Sequence, residues 1–91
     1  MKRVVITGAG TINPLGQTVP ETLAAMREGR CGISDLEFRD VERLAIHIGG
    51  QIKGYDAEAH FNRQQLSLYD RFTQFALLAA REAIGQAGLE F

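Results

Sequence analysis

Tryptophan is absent from this 91-residue sequence, and cysteine is nearly so, with Cys31 alone. A single cysteine cannot close an intrachain disulfide or build a multi-cysteine zinc site, so a reducing compartment, the cytoplasm, is the expectation. Two histidines, His47 and His60, fall at no metal-ligand spacing with each other or with Cys31. Charge of one sign is also lacking: ten Lys and Arg face eleven Asp and Glu, for a net charge of −1. The basic residues are scattered, so the chain carries no electrostatic footprint for nucleic acid or an anionic membrane. Long apolar runs are missing too. Val4-Val5-Ile6 stops at Thr7-Gly8, short of both a secretory core and a bilayer span. What remains, 45% hydrophobic and 23% charged residues, is the composition of an ordinary globular chain.

Val4-Val5-Ile6 is β-branched, continuous and bounded by glycine, which predicts a strand buried on both faces, as in a parallel sheet covered by helices. Thr18-Val19-Pro20-Glu21 reads as a capping box that opens a short helix containing Leu23, Ala24 and Met26, with Gly29 as its stop. Cys31 to Leu44 mixes polar and lone apolar residues and reads mostly as loop. Ala45 to Ile52 alternates, setting Ile46, Ile48 and Ile52 on one face of a strand whose Gly49-Gly50 pair weakens it or permits close approach. The last element is the strongest. Leu68, Phe72, Phe75, Ala76, Ala79, Ala83 and Ala87 recur at helical spacing, Ser67-x-x-Asp70 offers a second capping box, and Gly88 ends the helix. Its alanines make one side thin and predict close packing onto a sheet or helix. Leu89-Glu90-Phe91 resembles the run-up to another strand. Two strands and two helices do not close a core around an all-apolar first strand, so the α/β fold is expected to be incomplete on its own.

The stretch Thr7-Gly8-Ala9-Gly10 after the first strand raises the question of a dinucleotide site. A short-chain dehydrogenase pattern needs glycines where Ile12 and Pro14 stand, and the G-x-G-x-x-G fingerprint meets Asn13 in place of its third glycine. Pro14, Gly16 and the Thr18 cap also delay the helix that should receive the pyrophosphate. Asp35 lies at the distance of the ribose-binding acid, which adds little because acids are common.

A different pattern covers the whole chain. Arg3-Val4-Val5-Ile6-Thr7-Gly8-x-Gly10 with Pro14-Leu15-Gly16 is followed by Glu28-Gly29-Arg30-Cys31-Gly32-Ile33 and by Gly49-Gly50-Gln51-Ile52-Lys53 with Tyr55-Asp56. Asp70-Arg71-Phe72-x-Gln74-Phe75-Ala76 and the run from Ala83 to Gly88-Leu89 complete it. In this order the motifs resemble β-ketoacyl-acyl-carrier-protein synthases of the I/II branch, thiolase-fold condensing enzymes of fatty-acid and polyketide assembly. The resemblance implies that residues 1–91 form the N-terminal part of the first half of a thiolase-like domain, built in α-β-α-β-α layers. Residues 4 to 12 would be its first strand, and residues 67 to 87 a helix on the sheet. The glycine loop would then allow close backbone approach without touching phosphate.

It further implies an acyltransferase. A cysteine at a helix N-terminus accepts an acyl group from a carrier-protein thioester, and two histidines assist decarboxylation of malonyl-carrier protein, whose carbanion attacks the acyl-enzyme. Those three side chains belong to positions beyond Phe91, so this segment alone is expected to be inactive. The reaction requires no metal or organic cofactor. The partners implied are acyl carrier protein, acyl and malonyl thioesters and a second copy of the full-length protein, with neither nucleic acid nor membrane insertion.

Cys31 stands where the family commonly has serine, after a helix C-terminus whose dipole would oppose a thiolate, and reads as an inert small residue. His47 and His60 read as surface or structural, and Arg71 and Gln74 as a solvated helix face. Arg81 and Glu82, adjacent in sequence, point apart, and Asp70 is read as the N3 carboxylate of the Ser67 cap. The resemblance implies basic residues ahead of the long helix for docking an acidic carrier. Here Asn62 to Tyr69 contains only Arg63, so the candidate carrier contacts are Arg63 and Arg71. This departure leaves open a special carrier, a decarboxylating relative or a silent chain-length subunit. The rivals from other classes are a nucleotide-binding dehydrogenase fragment and a small non-catalytic α+β binding module.

Overall fold

A computed structural model describes residues 2–37 and 41–90. Helix α1 spans Val19–Arg27, strands β1 and β2 span Ile33–Asp35 and Ile48–Gly50, and helices α2 and α3 span Arg63–Leu68 and Arg71–Ala87. Single 3₁₀ turns lie at Val41–Arg43 and Ala57–Ala59.

Helix α1 starts where its cap chemistry places it. Thr18 is extended, its hydroxyl accepts from the Glu21 amide at 3.3 Å, and Pro20 sits in the first turn. The Glu21 carboxylate reaches one residue further than the simple box, accepting from the Gln17 amide and from the Thr18 hydroxyl. The other end is a Schellman closure around Gly29 at φ 74°: the Gly29 amide bonds Met26 O and the Arg30 amide bonds Ala25 O. Only Ala25 of this helix is fully buried, with Leu23 and Met26 left 46% and 62% exposed.

Between Gly10 and α1 the chain turns at Asn13-Pro14-Leu15-Gly16. The Asn13 side-chain oxygen accepts from the Leu15 and Gly16 amides, and its amide nitrogen donates to the hydroxyls of Thr11 and Thr22. This Asx turn steers the chain into the helix, as the Pro-Leu-Gly motif predicts.

The expected first strand is not formed. Residues 2–12 have no strand partner among the described residues, and Val4, Val5 and Ile6 are 94%, 64% and 92% exposed. A strand exists through its neighbour's ladder, and the one ladder described pairs β1 with β2, antiparallel, with Ser34 opposite Gly49. That ribbon corrects two expectations. Part of the Cys31–Leu44 loop is strand, whereas the predicted strand at 45–52 shrinks to three residues. Ile46 and Ile48 are 68% and 57% exposed because no layer among the described residues covers their face. The ribbon is prolonged by a side chain, since Gln51 accepts from the Glu37 amide and donates to the Glu37 carbonyl. Phe38 to Asp40 of the predicted loop, and Phe91, fall outside the described residues. Leu89 and Glu90 are in no strand.

The predicted long helix is two helices. Asn62 and Gln65 form the capping box, each side chain satisfying the other's backbone amide, so the chain is already helical at Ser67. Ser67 donates to Gln64 O inside α2. Tyr69 is extended, and Asp70 becomes the N-cap of α3 without a side-chain capping bond, which corrects its assigned role as an N3 carboxylate. Leu68 and Phe72 are consequently 72% and 73% exposed, and Ala76 also faces outward. The stop at Gly88 holds: at φ 72° it closes a second Schellman turn, with the Leu89 amide on Ile84 O.

The alanine face of α3 receives the opening segment instead of a sheet. Gly8 lies on the backbone of Ala83 and Ala87, and Gly10 on that of Ala79 and Ala83, so closely that a Cβ at either would collide with a helix carbonyl. Core is scarce. Among the described residues, Ala25, Phe61 and Gln74 are buried, and the radius of gyration is 16.1 Å, against about 12 Å for a compact domain of this length.

Candidate functional site: the sealed glycine loop and the arginine-aromatic cluster

Two amides of the glycine loop that could serve a phosphate are already engaged. The Ala9 amide donates to Gln86 Oε1 at 2.7 Å and the Thr11 amide to Glu82 Oε1 at 2.9 Å. The second Glu82 oxygen accepts from the Val19 amide, the first of α1, at 2.7 Å. One carboxylate thus joins the loop to a helix N-terminus, where negative charge is favoured. It also stands where a pyrophosphate would be repelled. The loop is a packing device, and the dehydrogenase reading loses its site.

Glu82 and Arg81 do diverge, as adjacent helix positions must. The structural role of Glu82 was not evident from that argument. The signal was available: Gln74, Leu78 and Glu82 follow one another at four-residue spacing, which puts two polar residues in line with the packed face.

Gln74 is not on a solvated face. It is 5% exposed, its Oε1 accepts from the Tyr55 hydroxyl at 2.7 Å, and its Nε2 donates to the Tyr69 carbonyl at 3.0 Å. Tyr69 is the residue that breaks α2 from α3, so Gln74 clasps that break. Arg71, by contrast, is exposed at the first position of α3. Its guanidinium carbon lies 5.4 Å from the Tyr55 ring centroid and 5.3 Å from that of Phe75. Both separations are within cation–π range.

The cluster extends on both sides. Tyr55 stacks on His60 at 5.9 Å and meets Phe75 edge-on at 4.9 Å, while Phe61 meets Tyr69 edge-on at 5.9 Å under the Arg81 guanidinium. Burial pushes the Tyr55 phenol above its ordinary pKa. The Arg71 charge opposes this rise and Asp56 adds to it. Arg63, exposed at the start of α2, lines a groove of about 360 Å³ with Glu58, Phe61, Asn62 and Leu66. Two aromatic groups thus each carry an arginine, Tyr55, His60 and Phe75 with Arg71, and Phe61 and Tyr69 with Arg81, and Arg63 shares the groove beside Phe61 with Glu58.

The other reactive residue types are not brought together. Cys31 is exposed and its sulfur accepts from the Ile33 amide at 3.4 Å. His47 is exposed beside β2. His60 ends the 3₁₀ turn, exposed, with its ring on Tyr55. Among the described residues no three His, Cys, Asp or Glu side chains gather at metal-binding distance, and no helix is long and apolar enough to cross a membrane.

The model of the β-ketoacyl synthase N-terminal domain matches residues 1–91. The chain is 39% identical over 89 residues to 3-oxoacyl-[acyl-carrier-protein] synthase 2 of Staphylococcus aureus strain COL, an alignment covering 98% of this chain and 22% of that protein. It is 39% identical over 88 residues to the synthase of the same name from Synechocystis, covering 97% of this chain and 21% of the relative. The chain spans about a fifth of the length of these curated relatives. With its glycine loop sealed onto an alanine face, in the order of motifs this family shares, the chain belongs to the β-ketoacyl synthase family, in its N-terminal domain.

Proposed function

We propose that residues 1–91 are the N-terminal portion of the first half of a 3-oxoacyl-acyl-carrier-protein synthase. Such an enzyme extends acyl chains by decarboxylative condensation. In the reaction the resemblance implies, a cysteine thiolate attacks the acyl thioester and releases the carrier thiol. Malonyl-carrier protein then loses carbon dioxide, and its carbanion forms a carbon–carbon bond to the acyl carbonyl as the cysteine leaves. The cysteine and two histidines for these steps belong to positions beyond Phe91, so the chain alone carries the scaffold and not the chemistry.

The observation that carries this reading is the seal of Gly8 and Gly10 on α3 with their loop amides held by Glu82 and Gln86. It gives the family's glycines a packing role. The exposed Val4 to Ile6 and the large radius of gyration support a layered thiolase-like fold whose sheet takes further strands. They speak against a self-sufficient α+β binding module, which would bury its apolar strand. The full-length enzyme is read as a cytoplasmic homodimer that uses no metal or organic cofactor.

Arg63 and Arg71 are proposed as contacts for an acidic acyl carrier protein, the substrate carrier named for the relatives. The support is their exposure at the starts of α2 and α3, neither of which has an acidic residue in its first turn. The test is an assay of the purified full-length protein with acyl- and malonyl-carrier protein. Appearance of 3-oxoacyl product supports the proposal. Carbon dioxide release without condensation points to a decarboxylating relative, and the absence of both products refutes catalysis.

A further inference from the structure

We propose that Tyr55 and Gln74 are positioning residues for carrier-protein docking, holding Arg71 at the break between α2 and α3; this rests on the reading of Arg71 given above. An arginine at a helix start has many rotamers, and fixing one costs side-chain entropy that binding must offset. Here that cost is met before the partner arrives. The guanidinium is seated on two rings, at 5.4 Å from Tyr55 and 5.3 Å from Phe75. The Tyr55 ring is itself fixed at three points: its hydroxyl on Gln74, one stack on His60 and an edge contact with Phe75. Gln74 ties this assembly to the backbone at Tyr69, where α2 gives way to α3. The same side chain therefore sets the ring beneath Arg71 and the start of the helix that bears it. A cation–π contact uses none of the guanidinium N–H groups as hydrogen bonds to another residue's oxygen, so Arg71 remains able to meet a carboxylate or phosphate.

The experiment compares two substrates of the full-length enzyme, malonyl-carrier protein and malonyl-pantetheine, which has the thioester without the acidic protein. The readout is the ratio of kcat/KM for the first to that for the second. Arg71→Ala and Tyr55→Leu are each expected to lower the ratio about two- to fivefold, the range a surface cation–π contact gives. The double variant should be no worse than Arg71→Ala alone, because Tyr55 acts only through Arg71. Tyr55→Phe keeps the ring and loses the bond to Gln74, and should fall between wild type and Tyr55→Leu. It decides the question if Tyr55→Leu does not fold.

A ratio lowered by Arg71→Ala but untouched by Tyr55→Phe and Tyr55→Leu overturns the positioning role and leaves docking through Arg71 standing. Additive losses in the double variant also overturn it. A ratio indifferent to Arg71→Ala removes the docking role of Arg71 and this inference with it, while condensation stands. Absence of condensation with both substrates refutes the proposed function as well as this inference.

Discussion

The Tyr55 hydroxyl donates to Gln74 Oε1 at 2.7 Å, and this bond joins the loop after the β-ribbon to α3. Gln74 is the one buried polar side chain among the described residues, and its other end is used on Tyr69 O. Replacing Tyr55 by phenylalanine leaves Gln74 Oε1 without that donor. In the full-length protein this should cost about 1–3 kcal/mol, the penalty of an unsatisfied buried acceptor, read from denaturant unfolding.

The same pair makes a pH prediction. Burial raises the folded-state pKa of Tyr55 above the ordinary tyrosine value of 10.0. A group with a raised folded pKa contributes stability that is fully present below its unfolded pKa. That contribution is lost as pH rises through the folded value. Stability should therefore fall above about pH 10, and Tyr55→Phe should show a shallower alkaline decline than wild type. Parallel declines would remove Tyr55 as the source.

Close packing at the opening loop predicts a polarity among glycine substitutions. Gly8→Ala and Gly10→Ala drive a methyl into the α3 backbone and should each destabilise by about 1–3 kcal/mol. Gly85, inside the same helix, has open space around its would-be Cβ. Gly85→Ala should instead gain about 0.5–1 kcal/mol from helix propensity. Thermal unfolding of the three variants gives the comparison.

Removing the Glu82 carboxylate frees two backbone amides. Glu82→Ala should destabilise by about 2 kcal/mol and speed hydrogen exchange at Thr11 and Val19 together. Exchange altered at only one of these amides would show that the carboxylate does not bridge them.

The two cap assignments for the α2–α3 region make opposite forecasts. Asn62→Ala breaks the capping box and should cost about 1 kcal/mol. Ser67→Ala lies within α2 and should change stability by less than about 0.5 kcal/mol. A larger loss at Ser67 would restore the single-helix reading.

Docking through Arg63 and Arg71 predicts salt sensitivity. Arg63→Glu with Arg71→Glu should raise KM for malonyl-carrier protein and reduce its dependence on ionic strength, with malonyl-pantetheine little affected.

Features governed by short-range chemistry were legible in the residues. The Thr18 cap, the Gly29 and Gly88 stops and the turn at Pro14 to Gly16 depend on hydrogen bonds and φ angles within a few positions. The thin alanine face also announced close packing. Ser67-x-x-Asp70 misled because two cap-like patterns overlap, and the upstream Asn62–Gln65 pair had already begun the helix. The fate of Gln74 was illegible for a different reason: its partner, Tyr55, comes from a loop nineteen residues away.

By itself, then, the sequence determined where α1 begins, where α1 and α3 stop, that the opening glycines could approach another backbone, and which family pattern the motifs follow. Only the tertiary structure decided what lies against those glycines, that Glu82 would cap α1 from another helix, and that Arg71 would rest on Tyr55. Those outcomes depend on which surfaces meet across the chain. A side chain such as Gln74 carries the same donors and acceptors whether it faces water or a tyrosine, so its role is set by the neighbour that folding supplies.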